Sequence, residues 1–174
     1  ENYMPSKNFF TPSLSKSELE RVGLVKPEDT SHIDVEMKFT FPKNGAMKND
    51  LAVLNIVAAV ANQGWNRPLY FDAGLRQGEY AGMGDYMRLE GLVYRLMPFK
   101  VIDTNKVNIA GELGTIDADK SYALFQKYIW GGADRNDVYF DEPNRHEFMI
   151  YRMNASSIAN ELHGEKKDKE AENI

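Results

Sequence analysis

Four carboxylates surround a glycine-rich stretch: Asp72, Glu79, Asp85 and Glu90 flank or interrupt the run of Gly74, Gly78, Gly82 and Gly84. Two carboxyl groups held roughly 5–10 Å apart are the machinery of glycoside hydrolysis, one acting as acid and the other as base or nucleophile. Trp65, Tyr70, Tyr80, Tyr86 and Tyr94 lie close by in the sequence. Aromatic faces beside carboxylates suit sugar rings, but the same rings are ordinary core material. Spacing alone leaves both uses open, with solvated loop carboxylates and buried rings the commoner outcome. The candidate ligand-binding residues are therefore Trp65, Asp72, Glu79, Asp85, Tyr86 and Glu90.

Other chemistries find less support. The histidines His32, His146 and His163 are far apart and form no His-x-x-x-His pair, so they read as surface residues rather than metal ligands. Asp134-Arg135-Asn136-Asp137 is oxygen-rich but lacks the spacing and closing Glu of a calcium loop, and a turn is expected there. Gly78 to Gly84 has no Gly-Lys-Ser/Thr ending, so it is not a phosphate-cradling loop. Ser156-Ser157 falls inside a helical pattern, with no nucleophile elbow around it. With no cysteine in the chain, disulfides, thiolate metal sites and cysteine nucleophiles are excluded. No catalytic residue, metal or cofactor is expected from these patterns.

Composition narrows the class further. The chain has 174 residues, with 21 Lys and Arg against 26 Asp and Glu, a formal charge of −5. That balance argues against nucleic acid as a partner, because such binders show a basic face. Hydrophobic residues make up 43% and aromatics 11%, too apolar for a disordered chain. The length suits one domain that folds without staples. The longest apolar run, Ile56 to Ala61, is far short of the roughly 20 residues of a membrane span. No signal-peptide pattern opens the chain. It starts at Glu1 without a methionine, which suggests a piece excised from a longer protein, with any membrane segment upstream.

The elements that would position these residues follow from periodicity and capping signals. Residues 1–14 read as an extended arm. Ser15 and Glu18 have capping-box spacing before a short helix ending near Gly23. Ile33, Val35, Met37, Phe39 and Phe41 alternate with polar residues, the mark of a half-buried strand over 32–41. Asn49 or Asp50 can cap a helix to Gln63, with Leu51, Leu54, Val57, Ala58 and Ala61 inward and Gly64 after its end. Leu69-Tyr70-Phe71 reads as a short strand buried on both faces, and Leu92 to Met97 as another, stopped by Pro98. A hairpin-like region is expected over 99–116. Asp117 or Asp119 starts a helix with Tyr122, Phe125, Tyr128 and Ile129 inward, closed by Gly131-Gly132. Val138-Tyr139-Phe140 forms a short apolar run. Asp141 and Pro143 open a last helix whose stripe is Phe148, Tyr151, Ala155, Ile158, Ala159 and Leu162, with Gly164 closing it. Residues 165–174 are a charged tail or the start of another helix. The fold class expected is mixed α and β (α/β or α+β): a single domain over 1–164, with a small sheet of about 4–5 strands packed by 3–4 helices.

Two blocks carry more. The first is Lys48-Asn49-Asp50-Leu51, then Trp65-Asn66-Arg67-Pro68-Leu69-Tyr70-Phe71, through Gly84-Asp85-Tyr86 to Leu89-Glu90-Gly91-Leu92-Val93-Tyr94-Arg95-Leu96. The second is Tyr128-Ile129-Trp130-Gly131-Gly132, then Val138-Tyr139-Phe140-Asp141-Glu142, followed by Arg152 and Asn154. Together, over about residues 40–160, they resemble the C-terminal soluble part of a family of large bacterial multi-pass membrane proteins, described as a domain of unknown function and as protein O-mannosyltransferase-like. Asn55 departs from that pattern, where Asp is expected. The resemblance implies transfer of a sugar from a lipid-linked donor to an acceptor outside the cytoplasm, with the catalytic carboxylate on loops between membrane helices that are not in this chain. No catalytic residue carries over. The motif residues read as structural: Asn49-Asp50 as a helix cap, Arg67-Pro68 as the start of a strand, Glu90 with Arg95 as a polar pair, and Gly131-Gly132 as a helix stop.

The resulting expectation is a non-catalytic extracytoplasmic C-terminal domain of a membrane-bound glycosyltransferase. It would sit at the periplasmic face of the inner membrane, tethered by upstream helices. It would bind a glycan or acceptor protein, or dock a partner. The alternatives are a free-standing sugar-active enzyme using a carboxylate pair, and a pure protein-interaction module whose last helix runs on into a helical-repeat region.

Overall fold

A computed structural model of the chain describes residues 9–10, 15–21, 24, 37–38, 47–75, 80–101, 113–133 and 135–174. The first elements are β1 (Phe9–Phe10), α1 (Lys16–Arg21) and β2 (Met37–Lys38). β1 and β2 pair antiparallel, Phe9 opposite Lys38 and Phe10 opposite Met37. Most of the arm at 1–14 and of the strand expected over 32–41 lies outside the described residues. Met37 itself is fully buried, as its place in the alternation requires. The Ser15–Glu18 box is present: the Ser15 N–H donates to Glu18 Oε2 at 2.8 Å, and the Glu18 N–H approaches Ser15 Oγ at 3.4 Å. Two backbone donors that α1 would leave open are thereby engaged.

α2 (Lys48–Asn62) begins two to three residues earlier than expected, with Met47 at the N-cap in place of Asn49 or Asp50. Asp50 is not the cap but the third helical residue, where its carboxylate accepts the Met47 N–H at 2.8 Å. Val57, Val60 and Ala61 are its buried apolar positions. The helix closes in a Schellman arrangement: the Gly64 N–H bonds the Ala61 carbonyl and the Trp65 N–H bonds the Val60 carbonyl. Gly64 takes the left-handed conformation, and so does Trp65, at φ 56°. A bulky residue there costs about 1–2 kcal/mol of backbone strain.

β3 (Tyr70–Asp72), β4 (Met87–Glu90), β5 (Val93–Leu96) and β6 (Thr115–Ile116) form a four-stranded mixed sheet in the order β3-β5-β4-β6. A 3₁₀ turn at Gly84–Tyr86 leads into β4. The Leu89-Glu90-Gly91-Leu92-Val93-Tyr94-Arg95-Leu96 block is thus the core of one β-hairpin. Gly91 occupies its two-residue turn at φ 73°, where a first central residue of positive φ matches the twist of the strands. Its N–H donates to Ser121 Oγ at 2.9 Å, and that hydroxyl faces the Leu89 carbonyl at 3.4 Å. On the other side of β4, Gly114 packs against the Met87 backbone so closely that an added Cβ would meet the carbonyl oxygen at 1.7 Å. The sequence reading missed β4 as a strand. It also took Leu69 to Phe71 as buried on both faces, whereas β3 is an edge strand with Tyr70 and Asp72 exposed.

α3 (Ala118–Phe125) is capped by Asp117, which accepts the Lys120 N–H at 3.2 Å. It ends before Tyr128, so Gly131-Gly132 is not its stop, and Ile129, expected inward, is exposed. α4 (Glu142–Gly164) is capped by Asp141, with Pro143 in its first turn. Its inner stripe centres on Asn154, Ile158 and Leu162. The left-handed residue at its end is Lys166, not Gly164, and a short α5 (Asp168–Ala171) follows. α4 packs on α3 and α5. The fold class is mixed α and β.

The chain divides into two compact units. Unit 1 comprises 1–71, 75–88 and 95–115; unit 2 comprises 72–74, 89–94 and 116–174. Unit 1 buries Leu19, Met37, Val57, Trp65, Tyr80, Met83, Tyr86, Met87, Leu96 and Met97. Met37, Met83, Met87 and Met97, fully buried, fill irregular space that branched side chains fit poorly. Unit 2 buries Leu89, Tyr94, Phe125, Ile158 and Leu162, together with Glu90, Ser121 and Asn154.

Candidate functional site

Each carboxylate of the sequence-derived set that is described has a structural occupation. Asp72 Oδ1 accepts the Gly74 N–H at 2.6 Å, an Asx turn closing the end of β3. Asp85 pairs with Lys100 at 3.2 Å in a half-exposed contact, which contributes little to stability. Glu90 is only 1% exposed and meets Lys120 Nζ at 2.5 Å. Glu79 lies outside the described residues. Trp65 and Tyr86 are buried. The Trp65 Nε1–H and the Asn154 Nδ2 have no hydrogen-bond partner among the described residues, a condition that costs about 1–3 kcal/mol per buried group.

The Trp65-Asn66-Arg67-Pro68 block works as helix closure. Asn66 Nδ2 donates to the Gln63 carbonyl at 2.6 Å, and Arg67 donates to Gln63 Oε1 at 2.9 Å. These residues anchor the chain as it leaves α2 for β3.

Unit 2 contains a pocket of about 470 Å³, within the range of small-ligand sites. One wall is the segment following the 131–133 turn, with Asn136, Asp137, Val138, Tyr139 and Phe140; the other is α4, with Arg145, Phe148 and Arg152. Those α4 residues stand at i, i+3 and i+7 and share one face, Arg145 and Arg152 being separated by about 10 Å along the axis. Phe140 and Phe148 meet edge to face at 4.8 Å. The Arg145 guanidinium sits 5.8 Å from the Tyr139 ring centre, a cation–π distance. From Phe148 the ring contacts continue through Tyr151 and Trp130 to Tyr128 and Phe125.

The pocket's charge is uneven. Arg135 donates to both Asp137 oxygens, at 2.9 and 2.5 Å. This pairing holds the Asp137 carboxyl below its ordinary range and the Arg135 guanidinium above its own. The expected turn over 134–137 is thus closed by an ion pair, with Asp134 outside the described residues. Arg145 and Arg152, in contrast, form no ion pair among the described residues. Elsewhere in unit 2, Lys167 binds Asp119 and Glu165, which raise its affinity for its proton. His163 lies beside Asp168 at 2.6 Å, and His146 is exposed; His32 is outside the described residues. No group of three or more acidic or histidine side chains is placed to hold a metal among the described residues.

The sequence reading did not single out this pocket. By periodicity Phe148 belongs to the helix stripe and Tyr139 and Phe140 to an apolar run, and Arg152 enters only through the second motif block. The available signal was Arg145-x-x-Phe148-x-x-x-Arg152, a helical face with a cation at each end.

Residues 1–120 match the family model for TMEM260-associated domain 2. The match covers well over half of the chain, which therefore belongs to that family, one linked to a membrane protein. No curated protein and no solved structure matches the chain. Among the described residues no helix is long and apolar enough to cross a membrane. The pocket residues, 133–152, lie beyond the matched span.

Proposed function

We propose that this chain is a non-catalytic, extracytoplasmic module of a membrane-linked glycosyltransferase-like protein, which holds the acceptor or docks a partner while the chemistry occurs elsewhere. The observation that carries this reading is membership of a family associated with a membrane protein. The engagement of Asp72, Asp85 and Glu90 in turn and ion-pair contacts supports a non-catalytic role. A general acid or base needs a carboxyl group free to reach substrate, and Glu90 is buried against a lysine instead. The O-mannosyltransferase-like identity, the bacterial source and the periplasmic location belong to the same proposal.

Two measurements test it. The complete coding sequence is expected to show hydrophobic spans upstream of Glu1; a signal peptide immediately before Glu1 contradicts the tether. NMR titration of the chain with glycans and acceptor peptides is expected to move a contiguous set of resonances. No movement with either ligand overturns the acceptor-holding role.

A further inference from the structure

We propose that the unit 2 pocket binds an acidic saccharide, with Arg145 and Arg152 taking its anionic groups and the Tyr139 face taking a sugar ring. This rests on the acceptor-holding reading and names the ligand class. Guanidinium groups donate five hydrogen bonds and accept none. Arg145 and Arg152 line the pocket without a carboxylate partner among the described residues, while the pocket's own acid, Asp137, is occupied by Arg135. A ligand in the pocket meets these two cations, and carboxylate or phosphate oxygens match the planar fork of arginine best.

The rings set the rest of the ligand. Tyr139 is 83% exposed, so beyond its contact with Arg145 it keeps an open ring surface that suits the C–H edge of a sugar. A short aliphatic acid would use the guanidiniums and leave that ring in water. A neutral sugar would use the ring and leave both cations without a counter-charge.

The test is a ¹H–¹⁵N titration of the full 174-residue chain with four probes: a glucuronic-acid-containing tetrasaccharide, a mannose 6-phosphate-capped oligosaccharide, uncharged mannotetraose and inorganic phosphate. At least one acidic saccharide is expected to shift residues 136–140 and Phe148 and to bind at least about tenfold tighter than mannotetraose, because charge-assisted bidentate bonds are worth that much. Which acidic probe binds tells carboxylate from phosphate as the source of charge. Arg145→Gln and Arg152→Gln are each expected to weaken it about tenfold, at unchanged melting temperature and circular dichroism. Inorganic phosphate binding as tightly as the saccharides reduces the pocket to a general anion site and overturns the proposal. Equal binding of mannotetraose overturns the acidic specificity but leaves acceptor holding intact. An Arg→Gln variant that keeps full affinity overturns the assignment of residues.

Discussion

Trp65, Tyr80 and Tyr86 in unit 1 are at most 6% exposed, whereas Trp130 and Tyr139 in unit 2 are 38% and 83% exposed. Both units are rich in rings, yet the largest of them are placed differently. Unit 1 packs Trp65, Tyr80 and Tyr86 with methionines into an interior. Unit 2 strings them from α3 along α4 to the rim of a pocket, with arginines beside them. In the proposed reading, ring content serves recognition where a polar rim and an open face accompany it. The sequence pointed to unit 1's rings because they cluster with carboxylates around glycines. Trp65, Tyr80 and Tyr86 are buried, whereas Tyr70 is exposed at the sheet edge.

Substitutions can sharpen this contrast. Trp65→Ala is expected to cost about 3–5 kcal/mol in chemical denaturation, the usual range for emptying a buried indole site. Trp65→Phe should cost much less, since it also removes an unpartnered buried donor. A loss below about 1 kcal/mol for Trp65→Ala would break the view of unit 1 rings as core. In unit 2, Lys120→Ala takes the ammonium away from Glu90 and is expected to cost about 3 kcal/mol, the low end for a buried pair because the lysine head is partly wet. Tyr139→Ala should change stability by no more than about 0.5 kcal/mol, as an exposed side chain does, while weakening saccharide binding. A large stability loss there would place Tyr139 in the core after all.

The smallest effect concerns pH. Arg135 depresses the Asp137 carboxyl, so this pair's contribution is complete above the ordinary Asp value of about 3.9 and is lost as pH falls through the lower folded value. A ¹³C titration of the Asp137 carboxyl should therefore give a midpoint below that of a model peptide. A normal or raised midpoint would mean that the turn beside the pocket is not closed by this ion pair.

Local signals were legible in the sequence wherever the chemistry is local. The Ser15–Glu18 box, the Asp117 and Asp141 caps, and the Gly64 turn depend on residues within a few positions of one another, and all occur. The mixed α and β class followed from the same signals. Burial is not local. Leu69 to Phe71 reads as a buried strand by composition, but β3 is at the sheet edge, so Tyr70 faces solvent. Ile129 fits a helical stripe, but α3 has already ended. The pocket was not legible because its two walls, 136–140 and the Arg145–Arg152 face, become a site only when α4 folds back beside the preceding segment.

The most direct test of the account uses the two indoles of the chain, Trp65 and Trp130. Trp130 connects through Tyr151 to Phe148 in the pocket wall, whereas Trp65 is enclosed in unit 1. During titration with the acidic saccharide that binds, the Trp130 Nε1–H resonance should move with residues 136–140 while the Trp65 resonance stays fixed. Movement of Trp65 together with Tyr86 and Asp85, with residues 136–152 unchanged, would contradict it.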